Sequence, residues 1–210
     1  MDILAQIADG LQGGDDEQVR TLTQTALDRS IDASRILEDG LIAGMQVVGD
    51  RFRDHEIFLP DVLLAARAMN AGLDLLQPLL GESETHSRGK VVIGTVKGDL
   101  HDIGKNLVGI MLNGAGFEVI DLGKDVAPEQ FVEAARDSGA GVIGMSALLT
   151  TTMPAMKEVV GLLRSEGLSD SVRTIVGGAP VTEEYARDIG ADAYGFDAAS
   201  AVERVRELLE

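Results

Sequence analysis

Lys90-Val91-Val92-Ile93-Gly94-Thr95-Val96-Lys97-Gly98-Asp99-Leu100-His101-Asp102-Ile103-Gly104-Lys105-Asn106 is the stretch that decides the fold. A short apolar run, Val91–Val96, gives way through a polar loop to helical grammar over Ile103–Asn113. The same alternation then returns four times. Strands are predicted over Phe117–Leu122, Gly141–Ser146, Arg173–Gly177 and Asp192–Tyr194, with helices near Pro128–Asp137, Met153–Glu166, Glu183–Asp188 and Ala198–Leu209. Apolar strands alternating with helices imply a parallel sheet covered on both faces. Five strands in residues 90–210 fit the flavodoxin-like (Rossmann-like) order 2-1-3-4-5 better than a six-stranded dinucleotide fold. That order puts the topological switch between the first and third strands, so a ligand is expected at the loops after Val96 and Ser146.

The preceding residues obey another rule. Leu59, Val62, Ala66, Met69, Leu73, Leu76 and Leu80 recur in steps of three and four, one apolar stripe on a helix that Pro60 helps to start. Leu37, Leu41, Met45, Val48 and Phe52 form a second stripe, and Val19, Leu22 and Ala26 a third. A short first helix runs from Asp2 to Leu11 and stops at Gly13-Gly14. Four helices with short connections predict a small antiparallel bundle. The expected organisation is a helical domain over 1–80, a polar linker over 81–89 and an α/β domain over 90–210.

Composition narrows the function. The 210 residues carry 35 acids against 18 bases, a net charge of −17 spread along the chain, which disfavours nucleic acid and anionic lipid as partners. Cysteine is absent, so disulfides, thiolate zinc sites and cysteine nucleophiles are excluded. No apolar run approaches a membrane span and the N-terminus lacks a basic region, so a cytoplasmic location is expected.

The loops admit several chemistries. Gly98 and Gly104 enclose five residues, and Asn106 follows Lys105, so a phosphate-binding P-loop fails on spacing and on its hydroxyl. No G-x-G-x-x-G opens the first strand–helix turn. His55, His86 and His101 are scattered, which disfavours zinc. His101 reads either as an exposed loop residue or as a metal ligand, and Asp102 as a helix N-cap. Asp99, two residues before His101, can take the ring N–H and so fix the tautomer of a metal-binding histidine. Ser146, Thr150, Thr151 and Thr152 crowd four hydroxyls into seven residues, more than an N-cap needs. Gly177-Gly178 ends the fourth strand in a tight turn or at a close backbone approach.

Asp99-x-His101-x-x-Gly104, Ser146-x-Leu148 and Gly177-Gly178, in this order, resemble the cobalamin-binding signature of corrinoid proteins and of cobalamin-dependent methionine synthase. Gly44-Met45-Gln46-Val47-Val48-Gly49-Asp50-Arg51-Phe52, followed by Phe58-Leu59-Pro60, is similar to the helical cap of the same proteins. The resemblance spans most of the chain.

It implies cobalamin bound base-off, its tail in a slot walled by Ser146, Leu148 and Thr150 and by Gly177 and Gly178. His101 then ligates cobalt, backed by a relay through Asp99 and Thr152, where methionine synthase has serine. Gly98, Asp102, Ile103 and Gly104 belong to the same binding loop. Phe52 and Leu59, seven residues apart, match the cap residues that cover the corrin, although their stripes equally suit bundle core. The implied function is a methyl carrier for methylcobalamin chemistry. It would serve a substrate-specific methyltransferase and a second methyltransferase acting on tetrahydrofolate or a thiol, with a reductive activator as a further partner. The rival readings are the small subunit of an adenosylcobalamin-dependent mutase, a cobalamin-sensing module, and a receiver domain without cofactor.

Overall fold

The computed structural model describes residues 2–80 and 88–210, so residues 81–87 of the expected linker, His86 among them, lie outside the described residues. These residues divide into two compact units. One contains the helices up to Leu76 together with Gly114–Gly116; the other contains the remaining residues from Arg88 onward.

The first unit is helical. α1 (Ile3–Gln12) and α2 (Asp16–Asp28) are joined by a turn in which Asp15 caps α2, accepting the Gln18 amide at 2.9 Å. α3 (Ala33–Ile36) runs without a break through a π-helical segment, Leu37–Ile42, into α4 (Ala43–Arg53). The apolar stripe from Leu37 to Val48 is buried throughout, so it gives no sign in the sequence of this change of pitch. α5 (Leu59–Leu76) begins with Pro60 in its first turn, and the Asp61 carboxylate takes the Phe58 amide at 2.8 Å. Ile7, Leu11, Val19, Ile36, Leu41, Val62 and Leu76 form its core.

The second unit is a five-stranded parallel sheet in the order β2-β1-β3-β4-β5. The elements are β1 (Lys90–Thr95), α6 (Ile103–Gly114), β2 (Glu118–Asp121), α7 (Pro128–Ser138), β3 (Val142–Ser146), α8 (Pro154–Ser165), β4 (Arg173–Gly177), α9 (Glu183–Ile189), β5 (Ala193–Gly195) and α10 (Ala198–Leu209). The predicted order holds, with no strand end displaced by more than one residue. Val91, Val92, Val142, Ile143 and Val176 are almost fully buried, as the central strands of a doubly covered sheet require. β1 pairs with β2 on one side and β3 on the other, from Thr95 opposite Ser146 down to Val91 opposite Val142. The connections after β1 and β3 therefore leave the same sheet edge in opposite directions, and a crevice opens between them. Among the described residues no helix is long and apolar enough to cross a membrane.

Candidate functional site

The loop after β1 is tied down before it reaches its functional side chains. Val96 bridges to Val126 beyond the end of the paired strands. Gly98 adopts a positive φ of 84° and donates its amide to Asp125 Oδ1 at 2.7 Å, while the Asp125 amide returns to the Asp99 carbonyl at 3.1 Å. The buried Thr95 hydroxyl donates to the His101 carbonyl at 3.0 Å. The loop is thus clamped on both sides of Asp99.

Asp99 has no exposed surface, yet its carboxylate is saturated with donors. Oδ1 accepts the His101 amide at 3.1 Å and lies 2.7 Å from His101 Nδ1. Oδ2 accepts the amides of Leu148 at 2.8 Å and Leu149 at 3.1 Å, and the Thr152 hydroxyl at 2.8 Å. Burial pushes the carboxyl up. The hydrogen bonds from the His101 ring and amide, the Leu148 amide and the Thr152 hydroxyl outweigh burial, and hold the carboxyl well below the usual carboxylate range. An ionised carboxylate only accepts, so Nδ1 carries a proton, and in the tautomer this fixes the ring lone pair lies on Nε2. The His101 side chain is 52% exposed; Leu100 and Ile103 of its own loop are exposed, as are Leu148 and Leu149, whose amides meet Asp99. A fixed imidazole acceptor on an apolar, open platform is suited to a metal held in a large apolar ligand.

Beside this platform a cavity of about 320 Å³ enters the sheet unit. Ser146, Gly177, Gly178 and Gly104 line it, together with Val91, Ile93, Val108, Leu112, Ile175 and Val205. The glycines are required by space. A Cβ at Gly177 would lie 2.9 Å from the Gly195 carbonyl oxygen, and one at Gly178, whose φ is 121°, would overlap the Ala147 carbonyl. Gly104 faces open space, so its missing side chain leaves the cavity mouth clear.

The structure thus brings together Gly98, Asp99, His101 and Thr152 in one hydrogen-bonded group, and Gly104, Ser146, Gly177 and Gly178 around one cavity. Leu148 contributes its amide to Asp99 while its side chain is exposed, and neither Leu148 nor the exposed Thr150 is among the cavity-lining residues. Asp102 precedes α6 and pairs with Lys124 at 3.8 Å. Ile103 is exposed on the platform. In the helical unit Phe52 lies half-buried in the last turn of α4 and Leu59 begins α5 half-buried, so neither is fully enclosed in the bundle. Two cavity-lining residues lie outside the expected site: Lys105, 4% exposed and weighed only as part of a P-loop, and Phe196, the aromatic after β5. The Gly195-Phe196 pair after a strand was the available signal for the second; a buried lysine leaves none.

The B12 binding domain family matches residues 89–205, and a second B12 binding domain family matches residues 3–77. Among curated proteins, trimethylamine corrinoid protein 1 of Methanosarcina acetivorans is 45% identical over 99% of this chain and 97% of its own length. Dimethylamine corrinoid protein 1 of the same organism is 49% identical over 85% and 84%. Among solved structures, a methanol:cobalamin methyltransferase complex from Methanosarcina barkeri superposes with a TM-score of 0.90 at 31% identity, covering 99% of this chain and 79% of that one.

Proposed function

Because this chain belongs to the corrinoid proteins, which bind cobalamin, we propose that it is a methyl carrier that holds its cofactor base-off through His101 and moves a methyl group between two methyltransferases. The single observation that carries the site assignment is the imidazole of His101. Its Nδ1 is held by a buried carboxylate, while the side chain as a whole is half exposed beside exposed leucines.

The residues fit the group. The cavity is lined mostly by apolar side chains and glycines, and Gly177 and Gly178 bring bare backbone to its wall, packed so closely on Gly195 and Ala147 that neither position has room for a Cβ. Ser146 offers a hydroxyl at the cavity lining that can bond a ring nitrogen. Cobalamin supplies a cobalt able to take a methyl group from a donor and yield it to an acceptor.

The protein's own residues then have separable roles. Asp99 orients His101 and raises the basicity of its outer nitrogen, and Thr152 with the Leu148 and Leu149 amides holds Asp99. Leu100, Ile103, Leu148 and Leu149 offer an apolar seat to the corrin. Residues 1–80 act as a helical cap whose Phe52 and Leu59 shield the cofactor from water. Residues 90–210 form the cobalamin-binding domain.

The partners proposed are a substrate-specific methyltransferase, a second methyltransferase acting on tetrahydrofolate or a thiol, and a reductive activator, all cytoplasmic. The match of the helical half to its own B12 binding family supports the carrier over a mutase subunit. The test loads the full chain with cobalamin, reduces it, and offers methylamines, methanol and other methyl donors with candidate methyltransferases, following absorbance. A spectral change that needs both a donor and its methyltransferase, and that a second methyltransferase reverses, is expected. Activation of a mutase large subunit by the adenosylcobalamin-loaded chain, with no methyl transfer, would overturn the carrier reading.

A further inference from the structure

Lys105 occupies an unusual position. It is the only cation among the described residues that line the cavity, and its side chain is 4% exposed. A lysine buried in an apolar wall is costly unless its ammonium is paired. The pair is Asp121, at the end of β2, which takes the Lys105 ammonium through Oδ2. Asp121 is not among the cavity-lining residues and is 42% exposed. Its other oxygen accepts the Gly123 amide at 2.8 Å, and the Gly123 carbonyl accepts the Thr95 amide at 2.9 Å. The carboxylate is therefore fixed to the sheet edge before it meets the lysine.

The arrangement separates the two ends of one side chain. The alkyl stem of Lys105 contributes wall, and its charge is drawn toward β2, where Asp121 meets solvent. Released from Asp121, the ammonium is free to turn into the cavity that Lys105 lines with Val91, Ile93, Val108 and Leu112. A charge there would oppose the entry of a flat apolar ring.

We infer that Lys105 and Asp121 are specificity-determining positioning residues for the cofactor's nucleotide tail: Asp121 withdraws the Lys105 ammonium so that the cavity offers hydrocarbon to the ring. This rests on the reading that the cavity takes that tail. The pair acts on the tail alone, and cofactors lacking it are indifferent to the pair.

The test measures binding of aquacobalamin, which has the tail, and diaquacobinamide, which lacks it, to the cofactor-free full chain by absorbance titration. Ala201→Leu, which fills the cavity from α10, should weaken cobalamin binding and leave cobinamide binding unchanged. If it does not, the tail reading itself falls. Asp121→Asn should lower cobalamin affinity by about tenfold or more and leave cobinamide affinity within about twofold. Adding Lys105→Met, which keeps the stem and removes the charge, should restore cobalamin binding. Equal loss for both corrinoids in Asp121→Asn, or no rescue by Lys105→Met, would overturn the inference while Ala201→Leu leaves the tail reading standing. Circular dichroism of each variant separates loss of binding from loss of fold.

Discussion

Asp99 and Thr152 stand on loops that follow different strands, yet the Thr152 hydroxyl donates to Asp99 Oδ2 at 2.8 Å in a fully buried contact. The Leu149 carbonyl lies at the same 2.8 Å from that oxygen, so the single hydroxyl proton is shared between an acceptor on its own loop and the carboxylate on the loop after β1. The extra methyl that threonine carries over serine lies against Gly98, where a Cβ would come within 3.4 Å of it. The hydroxyl keeps a normal bond length, so the methyl does not tilt it away from the carboxylate.

Removing that hydroxyl tests its share of the cofactor-free stability. Thr152→Val keeps the shape and leaves Asp99 short of one donor, so it should lower unfolding free energy by about 1–3 kcal/mol. Thr152→Ser keeps the bond and should cost less than Thr152→Val. Urea denaturation followed by circular dichroism reads both, and a larger loss in Thr152→Ser than in Thr152→Val would argue that packing of the methyl, not the hydrogen bond, matters.

The Asp99 carboxyl gives a signed pH dependence. Its folded pKa is depressed, so the stability it contributes is present above the unfolded value of about 3.9 and is lost as pH falls toward the folded value. Asp99→Asn removes that contribution at every pH. The difference in unfolding free energy between wild type and Asp99→Asn should therefore shrink as pH falls below about 4. A difference that grows over that acid range would contradict the sign.

Gly178→Ala should be severe. The positive φ of 121° alone costs about 1–3 kcal/mol in a residue with a side chain, and the new Cβ overlaps the Ala147 carbonyl. Unfolding free energy should fall by at least that amount. A variant as stable as wild type would show that the Ala147 loop yields easily.

Phe52 is half-buried, so truncation should cost less than the roughly 3–5 kcal/mol of a fully buried phenylalanine such as Phe131. As a shielding residue it should have a second effect: methylcobalamin bound to Phe52→Ala should photolyse faster than in wild type, at a temperature where both are folded. Unchanged photolysis in the folded variant would reduce Phe52 to a bundle residue.

Thr23 provides a control far from any chemistry. Its hydroxyl is buried in α2 without a hydrogen-bond partner among the described residues. Thr23→Val should raise unfolding free energy by about 1 kcal/mol, because an unsatisfied polar group is replaced by an apolar one of equal shape. A loss of stability on thermal or urea denaturation would mean that the hydroxyl finds a partner.

The amino-acid sequence by itself determined the alternation of strands and helices, the order of the sheet and the two loops at its switch point. These follow from local periodicity and from chain-connection rules, which need no knowledge of distant contacts. The Asp99–His101 spacing was legible for the same reason, since two residues in one loop are neighbours in any fold. Which of Ser146, Thr150, Thr151 and Thr152 meets Asp99 was open to the residue pattern, and only the resemblance to a known signature pointed to Thr152. The tertiary structure alone decided that Ser146 lines the cavity while Thr150 is exposed, that the helix through Leu37 widens to a π turn, and that Lys105 is buried against Asp121. Such pairings depend on how loops from separate strands converge. A hydrogen-bond partner contributed by another strand leaves no periodic trace in the residues on either side of it.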